Sequence, residues 1–296
     1  MEIYKLRTFV AVAREGHLTR ASELLNLSQP ALSAHIKSLE EELGILLFDR
    51  TPKGMQLTHA GRLLLTQAEN ALAAASDLLA QARSLRDEIC GAVVLGTITD
   101  TPSLRLGDFL CRMAASYPKL SLQLRQGISG TVVQGIKNRE LDAGYILGRN
   151  EDPAIATIGL NKIKLYVAAP AGWKDRVEKA DWPQIAALPW IITPPLCSFH
   201  RITEELFEKH NVKPNTMIAA DQEITLRGLV AAGVGLSILR EDQALAAEQA
   251  GEAVLWRQGE CETLLSFLYL RERENEPIIT AMAQVIKQVW NSGGAD

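Results

Sequence analysis

Aromatic residues are scarce in this 296-residue chain, at 5%, and cysteine is scarcer: Cys90, Cys111, Cys197 and Cys261 stand far apart with no CxxC pair. That spacing argues against a zinc ribbon or a dithiol redox motif. In a chain without an export signal such cysteines are expected as reduced thiols. The first nine residues contain Glu2, Lys5 and Arg7 and no apolar run, so they do not read as a signal peptide. No stretch reaches about 18 uncharged apolar residues, which excludes a membrane-spanning helix. The expectation is a cytoplasmic protein with no membrane partner. Excess positive charge is missing too: 31 Lys and Arg against 35 Asp and Glu give a net charge of −4, unlike a histone-type polycation. His17, His35, His59, His200 and His210 have no metal spacing with one another or with the cysteines, and neither GxxxxGK[ST] nor GxSxG occurs. No metal, no cofactor and no enzymatic constellation is expected.

Glycine and proline are absent from residues 62–90, and that gap divides the chain. Short helical patterns precede it. After Gly91, short apolar runs (93–95, 120–124, 143–147, 165–169 and 190–193) alternate with helical stretches, the signature of βαβ units around a parallel or mixed sheet.

In the first segment Ile3, Leu6, Phe9, Val10 and Ala13 recur at helical spacing, and Gly16 is a left-handed stop. Thr19 is placed to cap a second helix over 20–25 that buries Ala21, Leu24 and Leu25. After a turn at Asn26 and Leu27, Ser28 reads as an N-cap, with Pro30 tolerated in the first turn. Leu27 and Leu32 have the spacing of a hydrophobic staple. Leu32, Ile36, Leu39 and Leu43 face inward. The opposite face presents Gln29, Ser33 and Lys37, with Pro30, Ala34 and His35 alongside. Two helices joined by a tight turn, the second with short amide and hydroxyl side chains at its N-terminus, suit the major groove of double-stranded DNA. They equally suit a surface helix of any small bundle. Thr19, Arg20, Ser28, Gln29, Pro30, Ser33, His35 and Lys37 are the candidate contacts. A hairpin follows about Pro52-Lys53-Gly54. It puts Arg50 and Lys53 near the DNA backbone or minor groove, or else makes a solvated basic turn. Residues 1–58 hold seven Lys or Arg and seven Asp or Glu, with Glu40, Glu41 and Glu42 at the far end of the reading helix. Phosphate attraction must then come from one polarised face and be salt-sensitive.

These residues resemble the LysR-type transcriptional regulators. The match runs through Leu6 to Phe9, Gly16 to Leu25, Leu27 to Ser33, Leu39-Glu40, Leu43-Gly44, Leu47-Phe48, Arg50 and Leu57 to Gly61, and more loosely along the rest. The resemblance implies an α plus α/β protein: a winged helix-turn-helix, a long linker helix, and a two-lobed α/β domain of the periplasmic-binding-protein kind. It implies that Gln29, Pro30 and Ser33 face the major groove and that Arg50 lies by the wing. Many members carry Arg or Lys after the second serine, where this chain has Ala34 and His35, so base preference does not transfer.

The domains are expected at 1–58, 59–90 and 91–296. The last divides into lobe one (about 92–161 with 268–296) and lobe two (about 164–264), and the chain crosses near 161–164 and 264–268. From Thr58 a helix should run to about Leu85. In it Leu64, Ala68, Ala71, Ala75, Leu78, Ala82, Leu85 and Ile89 repeat every 3.5 residues, the period of a two-helix seam. This implies a homodimer through 59–90; a connector helix on its own core is the alternative. By resemblance the dimers pair into tetramers, and RNA polymerase is a further partner. Ligands in open α/β sheets bind beyond strand carboxyl ends. That nominates Thr99, Asp100, Thr101, Ser129, Thr131, Thr193, Ser198 and His200 for a small organic effector, each hydroxyl equally able to cap its own helix. A solute carrier would need an export signal, and an enzyme would need a titratable cluster in the cleft. The function read is a sequence-specific DNA-binding regulator modulated by a small molecule held between two lobes.

Overall fold

The computed structural model describes residues 2–51, 54–84, 89–98 and 102–291. The chain forms two compact units, Met1–Glu88 and Ile89–Asp296.

In the first unit, α1 (Ile3–Glu15), α2 (Leu18–Leu25) and α3 (Gln29–Leu43) precede a hairpin of β1 (Phe48–Thr51) and β2 (Gly54–Leu57), and α4 (His59–Ser84) follows. Gly16, Asn26 and Gly44 end the three helices in left-handed conformation, so each reversal takes one residue. Phe9, Val12, Ala21, Leu32, Ile36, Leu39 and Leu47 fill the core, with the Phe9 and Phe48 rings edge-on at 5.6 Å. Three apolar residues expected inside are not: Leu24, Ile3 and Leu43 are 60, 50 and 40% exposed. A two-turn helix such as α2 offers one narrow face, already filled by Ala21 and Leu25. Ile3 and Leu43 lie at helix ends, beyond the reach of the core. α2 starts at Leu18, not after Thr19. His17 is its N-cap without a side-chain cap bond, so Thr19 stands inside the first turn.

The acidic stretch at the end of α3 is structural. The Glu40 carboxylate accepts from the Leu47 and Phe48 amides at 2.7 and 3.2 Å and anchors the hairpin's first strand. Glu42 pairs with the buried Lys5 ammonium, which also meets Glu2 at 2.6 Å. The hydrogen bonds to Glu2 and Glu42 raise the Lys5 pKa above the ordinary lysine value. The second strand is tied down by the Met55 amide donating to the Gly16 carbonyl at 2.7 Å.

Thr58 caps α4, its Oγ1 accepting from the Gly61 amide at 2.9 Å. A Cβ on Gly61 would stand 2.2 Å from the Leu47 carbonyl, so only glycine lets α4 approach the hairpin. Part of the 3.5-residue repeat is already in use within the chain. Leu64 and Ala68, with Leu65 and Leu72, pack into the first unit's own core. Ala71 and Leu78 are exposed, Leu78 at 67%, whereas Leu85 lies outside the described residues. The first turns of α4 are therefore a connector on its own core.

The second unit contains β3 (Gly91–Thr97), α5 (Leu106–Ser116), β4 (Leu120–Gln126), α6 (Ser129–Lys137), β5 (Ala143–Leu147), β6 (Ile155–Pro170), α7 (Lys174–Val177) and α8 (Trp182–Ala187). It continues with β7 (Pro189–Ile192), α9 (Ser198–Lys209), β8 (Asn215–Ala219), α10 (Glu223–Ala231), β9 (Ser237–Arg240), α11 (Glu241–Gln249), β10 (Ala253–Leu270) and α12 (Pro277–Asn291). The main sheet runs β4-β3-β5-β10-β6-β9, and β7 pairs in parallel with β8 beside it. The chain passes between lobes in two long strands: the expected crossing 161–164 is the middle of β6, whereas 264–268 falls on the stretch of β10 that already pairs with β5, so the second crossing comes a few residues earlier. β6 and β10 pair antiparallel from Ile155↔Leu270 to Pro170↔Ala253, with register shifts between Trp256 and Cys261 and between Leu265 and Ser266. One end of this ribbon joins β5 and the other β9, so both lobes are built on the same two strands. The apolar runs 143–147 and 165–169 are buried along their whole length, as expected of strands covered on both faces.

In the first of these lobes the Arg273 guanidinium, 6% exposed, pairs with Asp142 at 2.9 Å and Glu276 at 2.8 Å, while Asp142 also accepts from the Val94 amide at 2.7 Å. Removing one partner of such a buried cluster strands the others. Arg273→Met should lower the unfolding free energy of this unit by about 3–5 kcal/mol. Urea titration of the full chain reads this directly, because all five tryptophans lie between Trp173 and Trp290.

Candidate nucleic-acid interface and effector cleft

The N-terminal turn of α3 is the exposed end of a helix whose other face is core. Ser28 caps it, accepting from the Ala31 amide at 3.3 Å, and Pro30 sits in the first turn, where a missing amide proton matters least. Thr19, Arg20, Ser28, Gln29, Pro30 and Lys37 are exposed and Ser33 is half-buried. Gln29 is not a free side chain: its Nε2 donates to Thr19 Oγ1 at 3.1 Å, bridging α2 and α3. That bond restrains the Gln29 side chain and leaves its amide oxygen and second N–H to offer a partner. Lys37 meets Glu41 at 3.6 Å, a solvent-exposed pair that holds little energy and yields readily to a phosphate. Arg50 stands on β1 opposite Met55. Its side chain, and Lys53 altogether, lie outside the described residues.

His35 does not belong to this surface. Its ring packs against Tyr4 at 4.6 Å, and its Nδ1 is 3.1 Å from Thr8 Oγ1. Thr8 has one hydroxyl proton and gives it to the Tyr4 carbonyl at 3.0 Å, so the His35 Nδ1–H must be the donor. The side chain points back along its helix onto α1, a direction that the residue's place beside Ala34 did not reveal.

In the second unit, two helix N-termini meet across a narrow cleft. Ile98, Ser129 and Leu147 come from one lobe, and Thr193, Cys197, Ser198, Phe199, Asp221, Glu223 and Leu226 from the other. Ser129 Oγ contacts Ser198 Oγ at 3.2 Å and accepts from the Leu147 amide at 3.2 Å. The Gly130 amide donates to the Leu196 carbonyl at 2.9 Å, and a Cβ there would lie 2.4 Å from that oxygen. Direct contact leaves a cavity of about 20 Å³. Thr193 lines it with a buried Oγ1 that has no oxygen or nitrogen hydrogen-bond partner among the described residues. Burial raises the Cys197 thiol above its ordinary pKa, so Cys197 itself adds no charge to this wall.

Of the residues nominated for the effector, Ser129, Thr193 and Ser198 converge here. Thr131 does not: its hydroxyl donates to the Ile128 carbonyl at 2.8 Å and accepts from the Ile128 amide at 3.0 Å, which is capping. His200 does not either. Its Nδ1 lies 2.7 Å from the Thr193 carbonyl, and it faces a separate hollow with Thr203, Glu204 and Phe207. Two residues past the helix start, about 200° round the axis, a side chain leaves the face that Ser198 presents. Thr99, Asp100 and Thr101 lie outside the described residues. Cys197, Asp221 and Glu223 also line the cavity. They stand on the segments 194–201 and 219–223, two of the strand-to-helix junctions that the sequence offers as ligand places, though it nominates none of the three individually.

A winged helix-turn-helix joined to a two-lobed α/β domain with a cleft defines a ligand-responsive DNA-binding regulator. Residues 3–62 match the model of the bacterial regulatory helix-turn-helix protein, lysR family, and residues 86–291 match the LysR substrate binding domain. The chain belongs to the LysR family of transcriptional regulators. It is 32% identical over 246 residues to the HTH-type transcriptional regulator IlvR of Caulobacter vibrioides, covering 80% of this chain and 82% of that one. It is 29% identical to a probable cat1 operon transcriptional activator of Acinetobacter lwoffii, covering 98% and 96%. The fold is similar to that of full-length CbnR crystallised with its target DNA, with a TM-score of 0.67, 21% identity and coverage of 98% and 100%. Among the described residues no helix is long and apolar enough to cross a membrane.

His35→Ala should remove the Thr8 hydrogen bond and the Tyr4 ring contact, lowering the first unit's stability by about 1–2 kcal/mol. The protected DNA sequence in a footprint should be unchanged; an altered sequence would return His35 to the groove.

Proposed function

We propose that this regulator reads DNA through the N-terminal turn of α3 and senses a small organic effector in the cleft between Ser129 and Ser198. The observation that carries the reading is the Gln29–Thr19 bond. A flexible amide on the surface has no need of fixing, whereas one that presents an acceptor to a base edge gains from arriving already oriented. Ser33 stands one helical turn on, and Arg20 and Lys37 flank the pair as phosphate contacts.

The face of α4 that carries the exposed Ala71 and Leu78, not its first turns, is the surface we assign to dimerisation, which would present two reading helices to two half-sites. The mechanism is linkage: an effector that prefers one degree of lobe closure shifts the dimer between arrangements with different DNA affinity, and one with equal affinity for both shifts nothing. The protein acts by binding and not by catalysis, and needs no cofactor besides the effector. Support for this comes from the regulators it resembles.

The first experiment is recovery of genomic fragments by the purified protein at about 0.15 M salt, where loose phosphate attraction is largely screened. On the recovered site, Gln29→Ala with Ser33→Ala should weaken binding about 10- to 100-fold, the scale of lost base contacts. Thr19→Val should weaken it about 2- to 10-fold and relax discrimination at the base Gln29 meets. Circular dichroism and sedimentation should stay unchanged. Loss of helix content or of the dimer would make these residues structural and sink the assignment.

A further inference from the structure

The charges at the cleft narrow the chemistry of what it can hold. Among the described residues around the cavity there are two carboxylates, Asp221 and Glu223, and no Lys, Arg or His. Glu223 is neutralised from behind by Arg240, whose Nε lies 2.9 Å from Glu223 Oε2 and whose side chain is buried. Asp221 is exposed and has no ion pair among the described residues. It repels a simple anion and favours a cation. On the opposite walls α6 and α9, nine and twelve residues long, turn their N-termini to the same space, and these favour an anion. Thr193 adds a hydroxyl that is 3% exposed, lines the cavity and has no oxygen or nitrogen partner among the described residues, only the weakly bonding Cys197 thiol beside it, so a ligand would satisfy it better. The rest of the wall is apolar, chiefly Ile98, Ile128, Leu147 and Leu226.

A ligand that meets all of these carries both charges close together and an apolar remainder. Resting on the reading of this cleft as the effector site, we propose that the effector is a free α-amino acid with an apolar side chain. Its carboxylate is taken by the N-termini of α6 and α9 with the Ser129 and Ser198 hydroxyls, and its ammonium by Asp221. Its side chain lies against Ile98, Ile128 and Leu226. A cavity of about 20 Å³ takes one water, so the lobes part to admit the ligand. The exchange keeps the donors occupied: the serine hydroxyls and the Gly130 amide leave one another and the Leu196 carbonyl, which water takes over in the parted cleft, and turn to the carboxylate. A simple carboxylate would leave Asp221 unpaired, and a simple amine would leave the helix termini and Thr193 unmet.

The test is thermal unfolding of the full chain, followed by tryptophan fluorescence, with each of the twenty common amino acids. For the best of them, the amine lacking its carboxylate and the acid lacking its amino group are added separately. The expected result is a raised midpoint with one or more of valine, leucine, isoleucine, methionine or phenylalanine, and none with either truncated compound. Asp221→Asn should weaken that binding at least tenfold, and Ser129→Ala should weaken it less. If the bare acid binds as well and Asp221→Asn does not weaken it, the cleft stands as the effector site and the amino-acid class falls. If an amino acid binds but neither Asp221→Asn nor a cleft-filling Gly130→Trp affects it, the ligand sits elsewhere and both readings fall. If none of the twenty binds, the proposal is overturned.

Discussion

The antiparallel pairing of β6 with β10 is the constraint on which the effector-binding unit depends. Each strand runs from one lobe into the other, and the ribbon they form joins β5 at one end and β9 at the other. Neither lobe can therefore move without bending or twisting the same ladder, and the register shifts at Trp256/Cys261 and Leu265/Ser266 are where such a ladder gives most easily. This ribbon brings together helix starts that are distant in sequence. Ser129 and Ser198 are 69 residues apart and meet at 3.2 Å because the strands that precede their helices end on facing edges. The cleft is a property of that shared ribbon more than of either lobe.

The DNA-binding unit solves a different problem, since its residues 1–58 carry no net charge while its partner is a polyanion. It does so by assigning its acids to structure. Glu40 holds the hairpin amides, Glu42 neutralises the buried Lys5, and Glu41 lies at the end of α3 away from the reading turn. The face we propose for DNA is the amide-rich N-terminus of α3, where a helix is electropositive without any basic residue. Affinity then depends on shape and base contacts more than on bulk charge, and pre-fixing Gln29 through Thr19 suits that balance.

Regulation in such a molecule is a coupling free energy. An effector at the lobes influences DNA binding only as far as it prefers one arrangement over another, typically by 1–3 kcal/mol. The Ser129–Ser198 and Gly130–Leu196 contacts supply one such arrangement, in which the lobes bind each other directly. A ligand that replaces these contacts competes with closure on the terms set by its own hydrogen bonds.

Much of this was legible in the sequence because it is local. The caps at Ser28 and Thr58, the stops at Gly16 and Gly44, the hairpin about Pro52–Gly54 and the buried runs 143–147 and 165–169 follow from backbone chemistry and side-chain period over a few residues. The reading turn of α3 was legible for the same reason. What stayed hidden depends on which way a side chain turns once elements pack. His35 sits one step from the reading face yet bonds to α1, and Leu64 and Ala68 carry a seam-like period yet fill a core. Thr131 caps its own helix while Ser129, two residues earlier, crosses the cleft. Period and cap signals are symmetric between an inner and an outer partner, and only the tertiary structure decides which partner is within reach.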